Sequence, residues 1–185
     1  MTRPATTLWR RVDVPGLEYC SLHDAARPSI AGTVIVVPDD GPVRVEYAIE
    51  CTAAWRTAHV RIDATTREGR TRFELACDDA LRWTRDGVHV PTLDGCEDVD
   101  LSVTPSTNTL PIRRLALGVG QSRDVTAAWI RFPSCAVEPL PQRYTRVADR
   151  RYRYESRGGA FTAELEVDAQ GMVLDYSPAW ERVRR

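Results

Sequence analysis

Two aspartates two positions apart open the stretch DVDLSVTPSTNTLPIRRL, which runs from Asp98 to Leu115. Carboxylates at this spacing are the residue types of a metal site or an acid–base pair. Side chains alternate across an extended strand, so Asp98, Asp100, Ser102 and Thr104 share one face. Val99, Leu101 and Val103 take the other. Residues two apart on a strand lie about 6.5–7 Å apart at Cα. Glycosidase carboxylates flank a bond from two sides, which neighbours on one strand seldom do. A metal would call for a histidine or further carboxylates nearby. The bland reading is a polar face paired with arginines. Spacing therefore argues against a two-carboxylate active site built by this strand alone.

The strand runs into Pro105-Ser106-Thr107-Asn108-Thr109-Leu110-Pro111. Ser, Thr and Asn bond locally to the backbone and make compact loops, and proline stiffens each end. Such a loop is preorganised, which serves a ligand lip or a plain hairpin equally. If the chain then resumes as a strand, Arg113 and Arg114 point to opposite faces, and only one can line a given pocket. The histidines, His23, His59 and His89, sit in no nucleophile pattern. GxSxG, GxGxxG, P-loop, HExxH and EF-hand motifs are absent.

The elements that would hold these groups are strands. Val43, Val45, Tyr47 and Ile49 alternate with Arg44, Glu46 and Glu50, and Leu165 and Val167 alternate with Glu164, Glu166 and Asp168. Turn chemistry separates such runs at Asp40-Gly41-Pro42, Glu68-Gly69, Asp86-Gly87, Gly158-Gly159 and Gln170-Gly171. The reading is mostly β: an antiparallel barrel or half-barrel with at most short helices. The best helical chances are Ser21 to Ala26 and Ala179 to Arg184. An echo appears at a constant offset of 105 positions. It places Tyr47, Glu50, Thr57, Ala58, Asp63 and Ala64 on Tyr152, Glu155, Thr162, Ala163, Asp168 and Ala169. This is consistent with a single domain over 1–185 made of two related β repeats, roughly 9–95 and 96–185.

The bulk numbers exclude more than they assign. The 185 residues are 43% hydrophobic and 28% charged, with a net charge of -1. That balance recommends no nucleic-acid or membrane-surface partner. All 25 Lys and Arg positions are arginine, spread along the chain, which fits a coding bias better than a binding patch. Met1 to Arg11 lacks the apolar core of a signal peptide. The longest aliphatic run, Val34 to Val37, falls far short of the roughly 20 residues of a membrane span. Cys20, Cys51, Cys77, Cys96 and Cys135 are odd in number, with no CxxC, and read as reduced, mostly buried thiols of a cytoplasmic protein. Trp9, Trp55, Trp83, Trp129 and Trp180 are many for this length. Tryptophan stacks on sugar faces, but at least three of the five read as core.

With these residues quoted, the chain resembles a bacterial glycolipid-binding family, formerly a domain of unknown function. The resemblance rests on Trp9-Arg10-Arg11 with Pro15-Gly16-Leu17-Glu18, on Tyr47 to Cys51 followed by Trp55-Arg56-Thr57, and on Asp86-Gly87. It continues through the long block Leu93 to Leu115, then Gln142-Arg143-Tyr144, Tyr152 to Ser156, and Asp168 with Gly171 and Val173. Ser106 departs from it, standing where the family pattern has an aromatic. The resemblance implies a duplicated, partly open β-barrel like the carriers that hold acyl chains in a concave sheet. It carries no catalytic residue, and no cofactor or metal is expected.

The resulting expectation is a non-catalytic protein that binds an amphipathic small molecule, a glycolipid or other lipid, in an apolar concavity of several hundred Å³. The residues assigned to ligand contact are Trp55, Arg56, Asp98, Asp100, Asn108, Arg113, Arg114 and Tyr144. One alternative is a small-molecule hydrolase or isomerase using Asp98 or Asp100 in the same cleft. Another is a protein-interaction module with an unknown partner, using a sheet edge or an apolar patch.

Overall fold

Alternating apolar residues need a sheet with one face buried, and the computed structural model supplies it over residues 4–183. The first half holds β1 (Ala5–Arg11), β2 (Gly16–His23), β3 (Ser29–Val36), β4 (Val43–Cys51), β5 (Thr57–Thr66), β6 (Gly69–Cys77), β7 (Trp83–Arg85) and β8 (Val88–His89). The second holds β9 (Asp98–Leu101), helix α1 (Thr109–Leu115), β10 (Ser122–Arg131), β11 (Ala136–Ala148), β12 (Arg151–Ser156), β13 (Phe161–Val167), β14 (Val173–Ser177) and β15 (Trp180–Arg182).

All fifteen strands lie in one sheet, in the order β8 down to β1, then β15 down to β9. Every pairing is antiparallel except β9 on β10. The first and last strands are neighbours, so the two halves meet along β1 and β15. The outer strands β8 and β9 do not pair with each other. Instead β9 approaches β5: Thr57 N–H donates to Glu97 O at 3.2 Å, and Val99 N–H to Thr57 Oγ1 at 2.9 Å. The sheet is curled but not closed, a barrel with one seam unladdered.

The turn signals fall where they were read. Asp86 and Gly87 both take positive φ, 51° and 80°, between β7 and β8, the backbone an Asp-Gly hairpin turn requires. Of the tryptophans, Trp9 and Trp83 are fully buried and each donates its indole N–H to a carbonyl, Val173 O and Cys96 O, both at 2.9 Å. All five cysteines are free, and four of them are buried.

Three local readings are corrected. The stretch from Ser21 is the end of strand β2, and Trp180–Arg182 is strand β15; Arg184 lies outside the described residues. Pairing with β3 and with β1 and β14 fixes both as strands, overriding weak local preference. The chain after Pro111 does not return as a strand. A short 3₁₀ turn, Ser106–Asn108, runs into α1, and left-handed Ala116 (φ 45°) ends it. Pro111 sits in the first turn of that helix, where its missing N–H costs nothing. The echo at offset 105 joins β4–β5 to β12–β13. Tyr47 pairs with Ile62 and Tyr152 with Leu165, so the two ladders differ in register by two residues, which leaves every side chain on its face.

Candidate functional site

The segment from Val103 to Ile112 is buried throughout. It is therefore not a lip over a ligand but an internal crossing between the two halves. Its residues reach both walls. Toward the first half, Thr104 Oγ1 donates to Glu18 Oε1 at 2.7 Å, and Tyr47 Oη donates to the same oxygen. Ser106 Oγ lies 2.7 Å from Tyr47 Oη and 2.8 Å from Thr104 Oγ1. Glu18 is fully buried with no cation beside it, and burial pushes its pKa up to about 8. Its second oxygen has no hydrogen-bond partner among the described residues. The Tyr47 ring lies against Gly32 on β3, where an added Cβ would meet Oη at 2.5 Å. Gly32→Ala is expected to cost about 1–3 kcal/mol of stability by overpacking, read as a lower thermal midpoint.

Toward the second half, the register sets the faces. Asp98 and Asp100 stand beside Ala127 and Trp129 of β10. Val99 and Leu101 stand beside Ala128 and Ile130 on the other side of the sheet, and all four are buried. The two aspartates share a face, as alternation requires, and that face looks inward. They have different partners. Asp98 receives a bidentate bond from Arg114, with Nε at 3.1 Å and Nη2 at 2.6 Å. Arg114 also pairs with Glu97 at 2.8 Å, and Glu97 with Arg56 at 3.3 Å. Burial raises the Asp98 pKa, Arg114 and Arg56 draw it down, and Glu97 raises it. Asp100 accepts from Gln142 Nε2 at 2.5 Å and from Thr107 Oγ1 at 3.3 Å. Burial pushes its pKa up to about 6. Tyr144 donates to Asn108 Oδ1 at 2.8 Å, and Asn108 Nδ2 to Pro105 O at 3.1 Å.

Asp100 and Asn108 form part of the floor of a cleft of about 390 Å³ in the second half of the sheet. Its walls are aromatic: Trp129 of β10, Tyr154 of β12, Phe161 of β13, Tyr176 of β14 and Trp180 of β15. Tyr154, Phe161 and Tyr176 form one cluster, with ring centroids 6.0–6.5 Å apart. At the mouth, Arg11 lies 5.4 Å over Trp180 and is paired with Asp13 at 2.7 Å. Arg157 lies 5.2 Å over Trp129. Asp100 is thus half-buried, and it lines the cleft.

The eight residues assigned from sequence divide three ways. Asp100 and Asn108 line the cleft. Asp98, Arg114 and Tyr144 lie just behind it, engaged with one another's neighbours. Trp55 and Arg113 are brought together elsewhere, and Arg56 joins the Asp98 and Arg114 network through Glu97. Arg113 lies 4.5 Å over Trp55 and bonds to Asp24 at 2.7 Å, while Arg56 is exposed. Arg113 and Arg114 still serve different places, but through the 100° step of a helix rather than strand alternation. The aromatic walls were missed. Trp129, Tyr154 and Tyr176 each stand in period-two strands, and alternation alone does not tell a cleft wall from a core.

The charge chemistry is limited. His59 and His89 bond to Glu74 and Asp94 away from the cleft. Among the described residues no cluster of His, Cys, Asp and Glu could hold a metal. No helix among them is long and apolar enough to cross a membrane.

Comparison with known proteins agrees with the architecture. A crystal structure of a DUF1089 family protein from Pseudomonas aeruginosa superposes with a TM-score of 0.82 at 31% identity, covering 90% of this chain and 92% of that one. A β-barrel-like protein of domain of unknown function DUF1849 from Brucella abortus shares the fold at a TM-score of 0.58 and 9% identity, covering 98% and 96%. No curated protein matches the chain. The model of the family described as "Putative glycolipid-binding" matches residues 6–182, so the chain belongs to that family.

Proposed function

We propose that this protein binds, without altering it, an amphipathic small molecule with a hydroxyl-bearing head, a glycolipid or related single-chain glycoside. The observation that carries the reading is the pairing of an aromatic wall with a polar floor in one cleft. Tyr and Trp rings give flat apolar faces for a sugar ring or alkyl chain. Asp100 and Asn108 supply the few directed polar contacts that orient a ligand in a mostly apolar site. At about 390 Å³ the cleft is near the small end of ligand pockets. It suits one head group or a short chain, and longer tails would run out over the mouth. The family description supports the same ligand class. One sheet and one buried cluster support reading the whole chain as a single binding domain.

The test is twofold. Native mass spectrometry of protein purified from its own host is expected to show a co-purifying amphiphile. Titration with dodecyl maltoside, followed by tryptophan fluorescence, is expected to saturate, and Trp129→Ala to weaken it about tenfold, the equivalent of roughly 1.4 kcal/mol. No saturable binding in either assay would sink the proposal.

A second reading, a hydrolase or isomerase, draws on Asp100 alone. A carboxyl raised to about 6 in a cleft has the poise of a general acid or base. Asp98 is held by Arg114 and does not face the ligand space. Turnover of a screened glycoside that Asp100→Asn abolishes, with binding retained, would favour this reading.

A further inference from the structure

Arg157 stands apart from the other arginine of the cleft, Arg11, and from Arg131, which shares the Trp129 ring with it. Arg11 is paired with Asp13 at 2.7 Å, and Arg131, which lies 5.4 Å over Trp129, is 3.5 Å from Glu138. Arg157 has no carboxylate partner among the described residues. Its contact is with the Trp129 ring, at 5.2 Å. Two guanidinium groups thus share one indole, and among the described residues only Arg131 has an acid near it.

The backbone holds Arg157 there. It has φ 53°, followed by Gly158 at 64° and Gly159 at 90°. Glycine adopts this region freely, whereas a side chain with a Cβ is strained in it. Glycine at 157 would make the turn easier. Arginine stands there against that preference, just after β12, with its side chain lining the cleft. The turn at Gly158-Gly159 is legible in the sequence, whereas nothing there singles out the residue before it.

We infer that the ligand carries an oxyanion, a phosphate or a carboxylate, beside its hydroxyl-bearing part, and that Arg157 captures it at the mouth. This rests on the binding proposal above and narrows it to anionic amphiphiles. Guanidinium presents a planar fork that matches phosphate and carboxylate, and it keeps its charge at any physiological pH. The Trp129 face preorganises that fork, since a stacked guanidinium is not solvated on both sides. The floor then meets hydroxyls through Asp100 and Asn108, the walls meet a ring or chain, and the mouth meets the anion.

The test compares probes with one tail and different heads: dodecyl phosphate, dodecanoate and dodecyl maltoside. Each is titrated below its micelle concentration at low salt. Dodecyl phosphate is expected to bind at least about tenfold more tightly than dodecyl maltoside, with the advantage shrinking as salt rises. Dodecanoate binding as tightly as dodecyl phosphate assigns the site to carboxylates as well; weaker dodecanoate binding favours the phosphate. Arg157→Gln is expected to bring the phosphate-to-maltoside ratio to about threefold or less. Arg157→Gly should do the same while melting no lower than wild type, since it relieves the left-handed strain. Dodecyl maltoside binding as tightly as both anions, or an unchanged ratio in both variants, overturns the inference and leaves the binding proposal standing. If none of the three probes binds, both fall.

Discussion

Replacing Arg114 by methionine lowers the unfolding free energy by about 3–5 kcal/mol, read by urea denaturation near pH 7. The side chains of Arg114 and Asp98 are 10% and 2% exposed, and both guanidinium bonds to Asp98 are in place. Methionine keeps the apolar stem and removes the charge. Asp98 is then left buried with Arg56, held through Glu97, as the remaining cation near it among the described residues. Removing one partner of a buried pair costs more than removing both. Asp98→Asn combined with Arg114→Met is therefore expected to recover a large part of the loss. A single variant within about 1 kcal/mol of wild type would show that Asp98 takes a proton or meets water, and that the pair does not brace α1 against β9. Lost binding in a destabilised Arg114 variant would thus say nothing about ligand contact.

Raising the pH from 5 to 9 destabilises the wild-type protein by an amount on the order of 4 kcal/mol, and Glu18→Gln removes most of that loss. Burial holds the Glu18 carboxyl protonated up to about 8, whereas an unfolded glutamate ionises near 4.5. Between those values the native state binds the proton and the unfolded state does not. Each pH unit across this window is worth up to about 1.4 kcal/mol of stability. The stability is complete below the unfolded pKa and lost as pH rises through the folded one. Asp100, raised to about 6, acts in the same direction over a narrower range, so the Gln variant keeps a smaller slope. Cys20 and Tyr47 beside Glu18 are pushed upward by burial and stay neutral across the window. Asp13, Asp63 and Asp124, held low by arginine, and Asp78, held low first by the Arg82 backbone N–H and then by its guanidinium, act at acid pH and in the opposite sense. Chemical denaturation at pH 5 and pH 9 decides it. Equal stability of the wild-type protein at the two values would mean that Glu18 is ionised in the fold. Glutamine is neutral at both, keeps the acceptor used by Thr104 and Tyr47, and should stabilise the protein at pH 9.

These two sites show how far local pattern reaches. Glu18 sits in the sequence as a polar residue between Leu17 and Tyr19, and alternation alone would give it to solvent with other acidic strand residues. It is instead the inward residue, and Leu17 and Tyr19 are exposed. The signal was present in Cys20 and Leu22, which share its face. It needed the crossing segment, from 86 residues away, to say why a carboxyl is tolerated there. The segment itself was legible as stiff and compact, from its prolines and its Ser, Thr and Asn. Its helix was not. Seven residues give too few turns to show a 3.6-residue period, and Leu115, Leu117 and Val119 offer a competing alternation.

The sequence by itself determined the strands and their hairpin turns, because a period of two and an Asp-Gly or Gly-Gly pair are local physics. It also determined that Asp98 and Asp100 share a face, since that follows from strand geometry, whereas its separation of Arg113 from Arg114 assumed a strand where the chain forms a helix. Only the tertiary structure decided which face looks inward, that Asp98 is held by Arg114 while Asp100 is left to the cleft, and that five rings from five strands make one wall. Those facts depend on how a fifteen-stranded sheet curls, and curl brings together residues that no spacing along the chain relates.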